Sequence, residues 1–304
     1  MYYSMSLLAG MLISVMVVFN GSLNARVGQL AALVVIHSIG LAVIGLTMLA
    51  KGEKPRFPKL PVYLYVGGFI GVLTTVFNNT AFGHISVSAM MALSLLGESL
   101  SGLAADHYGF LGIPKRAFRT EKLWGALLTL IGIAVMITEF RLVPMLVSLL
   151  AGLTVLVSRL INARMAVKTS VPNSTFLNYL MGLILSVGLY LWLGSGSGGL
   201  AAVPGGDPTM YLGGALGVAI VLMSNAIVGK IPSVYMSLAI FVGQVFAGIL
   251  LDRLLMGDYS MRNLLGGLFV LAGLSLSLWQ DRQQGRKNTI HTAGRVPRGK
   301  GGAK

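Results

Sequence analysis

The sequence predicts an all-α membrane protein, with ten transmembrane helices arranged as two five-helix repeats of inverted topology. Three observations carry this prediction. Of 304 residues, 55% are hydrophobic and only 11% are charged, against about 25% charged in a soluble domain. The apolar residues gather into ten runs, each near the roughly 20 residues a bilayer-spanning helix needs. The second half of the chain also repeats the first in a nearly constant register.

The first half carries apolar runs near 5–23, 28–50, 61–82, 85–105 and 122–139. The second carries runs near 142–163, 174–194, 209–229, 231–251 and 262–280. The opening MYYSMSLLAG has no basic segment before its apolar run. A cleaved signal peptide is therefore not expected, and the first run should remain as a span. Trp124, Trp192 and Trp279 fall near predicted span ends, where amphipathic aromatics suit the interface. The 40 glycines lie largely within apolar runs, which suggests helices in close approach.

The net charge of +14 does not indicate nucleic acid, because the charges sit in short loops and one tail. Ten spans place both termini on one side. That side receives 18 Lys and Arg and the other receives 4, with Arg159 inside a span. Without the tail the split is still 11 to 4. The positive-inside rule then puts both termini in the cytoplasm. Residues 282–304 are basic and rich in small residues, and the tail from 283 is expected to be disordered. The organisation predicted is residues 1–141, 142–282 and a tail, 283–304.

Leu7–Gly10 recurs as Leu149–Gly152, an offset of 142 that also pairs Asn20 with Asn162 and Gly40 with Gly182. After the longer GSGSGG loop the offset becomes 146, pairing Tyr65 with Tyr211, Asn79 with Asn225, Met90 with Met236 and Asp106 with Asp252. An offset of 141 then pairs Gly125 with Gly266 and Gly132 with Gly273. Asn, Asp, Tyr and Met matches in one register are hard to obtain by chance. Each repeat has an odd number of spans, so the second copy enters the membrane inverted. Transporters of this type place the substrate near the midplane between halves.

Several of these residues form a recognisable pattern. Asn20-Gly21 and Asn162-Ala163 lie late in the first helix of each half. Gly67, Gly68 and Gly71, with Gly213, Gly214 and Gly217, open the third. Gly97-Glu98 through Asp106 and Gly243-Gln244 through Asp252 mark the fourth. In these features the chain resembles the drug/metabolite transporter superfamily, in particular a fused, two-repeat form of its YdcZ-like branch. The resemblance covers about residues 5–280. It implies ten helices, with helices one to four of each half around a central cavity and helices five and ten at the periphery. It also implies movement of small organic solutes. Where the branch is Gln-like, Glu98 departs from the pattern and Gln244 keeps it.

Glu98 is the sharpest candidate for substrate binding or proton coupling. It lies eight residues before Asp106, about 12 Å inside the span, where an ionisable group is costly and usually functional. Arg159, five residues before Arg164, is about 7–8 Å from the cytoplasmic edge. It can either pair with Glu98 or snorkel to the headgroups. Asn20 and Asn162 can bind a polar solute or join helices; for Asn79 and Asn225 the joining role is favoured. His37 can shuttle protons with Glu98, although a structural role is the simpler reading, and its repeat partner is Tyr179. Gln244 is the uncharged counterpart of Glu98. Asp106 and Asp252 read as structural. Tyr63, Tyr65, Tyr211, Met90 and Met91 are either cavity or core residues.

No cysteine is present, which removes thiolate chemistry. The GSGSGG loop lacks the strand and Lys of a phosphate loop. No metal pattern or catalytic triad emerges, so neither an enzyme nor a cofactor is expected. The expected partners are a small solute, favouring an amine or cation if Glu98 is unneutralised, the lipid bilayer, and a proton as coupling ion. Export of that solute is expected; a lipid-carrier flippase and a non-transporting scaffold or sensor are the alternatives.

Overall fold

The computed structural model describes residues 1–108, 122–137, 140–194, 199–227, 230–231, 233–256 and 261–293. Ten α-helices lie among them. In the first half they are α1 (Tyr2–Val27), α2 (Gln29–Ala50), α3 (Gly67–Ala81), α4 (Val87–Tyr108) and α5 (Lys122–Met136). In the second they are α6 (Leu142–Lys168), α7 (Val171–Leu193), α8 (Leu212–Ile227), α9 (Ser233–Met256) and α10 (Met261–Ala293). Short 3₁₀ turns at Val62–Tyr65 and Pro208–Tyr211 lead into α3 and α8. Among the described residues there is no strand, and an isolated bridge joins Phe82 and Ile85.

Six helical segments are long and apolar enough to cross a membrane: Tyr2–Val27, Gln29–Ala50, Val62–Ala81, Leu142–Lys168, Val171–Leu193 and Leu238–Leu255. Shorter apolar stretches lie in the other four helices, at Val87–Gly102, Leu127–Met136, Pro208–Ser224 and Met261–Gly273. Exposed Leu46, Leu49, Leu127, Leu130, Leu191 and Leu268 turn an aliphatic outer surface to the surroundings, as a lipid-facing protein requires.

Local chemistry sets the helix boundaries. A single residue, Gly28, separates α1 from α2, at φ 83° and ψ 161°, a region open essentially to glycine alone. At the equivalent junction of the second half, Ser170 caps α7 by accepting from the Asn173 N–H at 3.2 Å. This cap starts α7 at Val171, earlier than the apolar run at 174 suggests. At the other end of the chain α10 runs on to Ala293. The expected tail boundary at 283 therefore falls inside a helix. Asp, Gln, Arg and Lys after Trp279 are compatible with helix although they are not apolar. Residues 294–304 lie outside the described residues.

Tyr65 donates to the Pro58 carbonyl and Tyr211 to the Val203 carbonyl. These repeat-matched tyrosines thus tie down the segments before α3 and α8, and they do not line the central cavity. Arg26, at the end of α1, donates to Ala202 O and Pro204 O at 3.1 Å each. Towards the opposite end of the bundle, Asn173 brackets Arg56, accepting from its N–H at 2.8 Å and donating to its carbonyl at 3.0 Å.

Packing is closest where glycines meet backbone. A Cβ on Gly152 of α6 would overlap the Ser94 carbonyl of α4, and one on Gly97 of α4 would overlap that of Leu149 of α6. In the same manner Gly10 of α1 meets Ile240 of α9, and Gly243 meets Leu7. The pair α5 and α10 packs along its length, with Gly132 against Gly266 and Gly125 against Gly273. Helix α3 packs on α6 and α7, and α8 on α1 and α2.

Asp252, buried near the end of α9, caps α4. Its carboxylate accepts from the Val87 N–H at 2.7 Å, the Ser88 N–H at 3.1 Å and the Ser88 hydroxyl at 2.6 Å. Asn263 of α10 reaches the same carboxylate at 3.4 Å. An acid at its own helix's C-terminus is disfavoured by that dipole, and here it is satisfied by the N-terminus of a neighbour. The side chain of Asp106 lies outside the described residues.

Candidate functional site

A cavity of about 210 Å³ lies among α1–α4 and α6–α9. No described residue of α5 or α10 lines it. The six residues singled out from the sequence, Asn20, His37, Glu98, Arg159, Asn162 and Gln244, all line this one cavity.

Glu98 occupies the middle of α4 because Gly97 and Gly152 let α4 and α6 touch backbone to backbone. That approach brings Arg159, 61 residues away in sequence, against it. The Arg159 Nη1 donates to Glu98 Oε1 in a short ion pair, while Nη2 lies 3.4 Å from Oε2. The side chains retain 25% and 19% exposure, so the pair faces the cavity instead of being sealed in the core. Arg159 therefore does not snorkel. Among the described lining residues these two carry the only formal charges, and they compensate each other. The condition under which Glu98 favours an amine or cation, that it stands unneutralised, is not met in this arrangement.

Asn162 donates to Asn178 Oδ1 at 2.9 Å and to Ser158 Oγ at 3.2 Å. Ser158 in turn donates to the Gly67 carbonyl at 3.0 Å. Gly67 is required here, since a Cβ would meet Asn162 Oδ1. Across the cavity the matched elements are Asn20 and Gly213, again with the amide oxygen against the glycine. The Asn20 Oδ1 is buried with no hydrogen-bond partner among the described residues. Both side-chain atoms of Asn79 are likewise buried without a partner there, so among the described residues its amide makes no interhelical bond. The side chain of Asn225 lies outside the described residues.

His37 is buried, and its Nδ1 lies 2.8 Å from the Leu33 carbonyl, which makes Nδ1 the protonated nitrogen. The ring packs beside Tyr179, centroids 6.0 Å apart, and against Gly182, where a Cβ would collide with it. This is the environment of a positioned structural ring, and none of its hydrogen bonds leads to Glu98. Gln244 is half-buried, and its backbone carbonyl accepts from Ser14 Oγ at 2.8 Å. Met91 lines the cavity, whereas Met90 is in the core.

Sequence reading missed Thr74, Thr75, Ser158 and Asn178 as lining residues. The signal was present as helical spacing. Gly71, Thr74, Thr75 and Asn78 form one stripe of α3, and Ser158 precedes Asn162 by one turn. Among the described residues no cluster of three or more metal-ligating side chains occurs.

A helical bundle with an apolar exterior and a polar, charge-compensated central cavity is the form of a polytopic membrane transporter. The chain belongs to the DMT_YdcZ family, described as "Putative inner membrane exporter, YdcZ", whose model matches residues 1–135 and again residues 143–276. Comparison with curated proteins returns no sequence match. Among solved structures, a chain described only as "Crystal structure of protein" is similar with a TM-score of 0.63 at 17% identity, over 93% of this chain and 98% of that one. That likeness concerns the fold alone.

Proposed function

We propose that this chain is a ten-span inner-membrane secondary transporter, with both termini cytoplasmic, that exports a small organic solute by alternating access. The observation that carries this reading is the cavity itself. It lies between the two halves, and it holds the only charged pair among the described lining residues. At about 210 Å³ it is below the roughly 300–1,000 Å³ of sites for drug-sized ligands, so a small metabolite suits it better than a drug.

The inverted repeat is part of this proposal. It is supported by packing that survives exchange of the halves. The contacts α1 with α9, α3 with α6 and α3 with α7 become α6 with α4, α8 with α1 and α8 with α2, and all of these occur. The glycine contacts obey the same exchange. Gly10 against Ile240 becomes Gly152 against Ser94, and Gly40 against Tyr179 becomes Gly182 against His37. A bundle related in this way can close around one end or the other at nearly equal energy, which alternating access needs.

Proton coupling belongs to the same reading, with Glu98 accepting a proton when opening of the cavity separates it from Arg159. The test is solute efflux from proteoliposomes holding the purified protein. A pH gradient should drive net movement, and Glu98→Gln should abolish the response to the gradient. If no metabolite class moves under any gradient while lipid probes cross the bilayer, the solute reading gives way to a flippase.

A further inference from the structure

The halves match in backbone but not in chemistry. At the offsets of 142 and 146 the cavity-lining residues form pairs: Met16 with Ser158, Val17 with Arg159, Ile36 with Asn178, Thr74 with Ile220 and Thr75 with Val221. In each of these five pairs the polar member lies on α3, α6 or α7. Those three helices pack on one another, and their counterparts α8, α1 and α2 do likewise. One wall of the cavity is therefore rich in hydroxyl, amide and charged groups. The facing wall is mainly aliphatic and thioether, with Asn20, His37 and Ser224 as polar members.

The ion pair also breaks the symmetry in both its partners, because Glu98 answers to Gln244 and Arg159 to Val17. Two charges have thus been placed on one side of a cavity whose other side does without them. Balanced charges of this kind constrain a ligand. A simple cation that takes Glu98 strands Arg159 in a poorly solvated site, and a simple anion that takes Arg159 strands Glu98. Removing one partner from such a pair is strongly unfavourable. A neutral solute leaves the pair closed and gains nothing from it. A solute carrying both charges exchanges one ion pair for two and strands neither. The pair is also unevenly closed, with Nη2 and Oε2 at the limit of hydrogen bonding.

We propose that the transported solute is a small zwitterion with an apolar body, its ammonium against Glu98, its carboxylate against Arg159 and its body on the Met16, Val17, Ile36, Ile220 and Val221 wall. This rests on the transporter reading above. The probes are leucine, its methyl ester (cation only), N-acetylleucine (anion only) and glycine (zwitterion without the body).

The measurement is the thermal shift of the full chain in detergent with each probe, followed by leucine counterflow in proteoliposomes. Leucine should stabilise the protein with at least tenfold tighter binding than any of the other three. Glu98→Gln with Arg159→Gln should abolish the leucine shift. If that variant does not fold, Ile220→Thr provides an independent arm, weakening leucine severalfold relative to glycine. The proposal is overturned if leucine gives no shift, or if the ester or the N-acetyl acid matches it. Leucine bound but not moved in counterflow would retain the zwitterion site and refute transport. Movement of the ester in place of leucine would retain transport and refute the zwitterion.

Discussion

Glu98 and Arg159 are each costly in an apolar bundle and inexpensive together. Arg159→Ala leaves a carboxylate facing the cavity without its partner. Loss of one member from a fully buried pair costs about 3–5 kcal/mol, and the residual exposure of both side chains places this pair below that range. The double change of Glu98→Gln with Arg159→Gln should melt at a higher temperature than Arg159→Ala alone, because no charge is stranded. Thermal melting of the three proteins in one detergent checks this. Equal melting of the single and double variants would show that the two groups do not support one another. Glu98 was legible in the sequence because an acid in an apolar run is a local anomaly. Its pairing was not legible, because a snorkelling Arg and a paired Arg have the same sequence.

Glycine contacts and a carboxylate cap are two of the devices that hold the helices together. Gly152 meets the Ser94 carbonyl, where a Cβ has no room. Gly71 lines the cavity with nothing within 4 Å of a built Cβ. Gly152→Ala should therefore destabilise by about 1–3 kcal/mol as α4 and α6 are pushed apart. Gly71→Ala should keep the melting temperature and lower solute affinity by filling the cavity. A melt and a binding titration on each variant separate the two effects. If Gly71→Ala unfolds the protein, the cavity assignment of that stripe fails.

Asp252 joins α9, α4 and α10 through one carboxylate. Asp252→Asn replaces an acceptor oxygen with an amide that faces donors, at a cost of about 1–3 kcal/mol. Protection of the Val87 and Ser88 amides in hydrogen exchange should fall before that of α2. Unchanged protection would mean that the cap does not hold the start of α4. The sequence marked Asp252 as a structural residue and a repeat match of Asp106, without its partners. Its α4 partners lie 164 and 165 residues away, beyond any local pattern.

For the molecule as a whole, orientation follows from charge placement, and the absence of cysteine makes it directly measurable. Ala201 and Lys54 are both exposed and lie on opposite sides in the proposed topology. In intact cells an impermeant maleimide should label Ala201→Cys and not Lys54→Cys, with both labelled after the membrane is opened. The reverse pattern would invert the proposed topology and turn the proposed exporter around.

Hydropathy, charge bias and the internal offsets belong to the sequence by itself, because each depends on residue type and spacing along the chain. They yield an apolar helical protein, the approximate helix positions and six residues that share one cavity. Hydropathy defined the helix ends less well, because caps such as Ser170 and polar extensions such as that of α10 follow hydrogen bonding instead of apolarity. The tertiary structure alone decided that Glu98 is neutralised by Arg159, that Asp252 caps a different helix, and that the polar lining of α3, α6 and α7 faces an apolar wall. These depend on which helix faces meet, and that is set by close backbone crossings at glycines far apart in sequence. A repeat in sequence places equivalent residues at equivalent positions, but only the packed bundle puts unlike residues opposite one another.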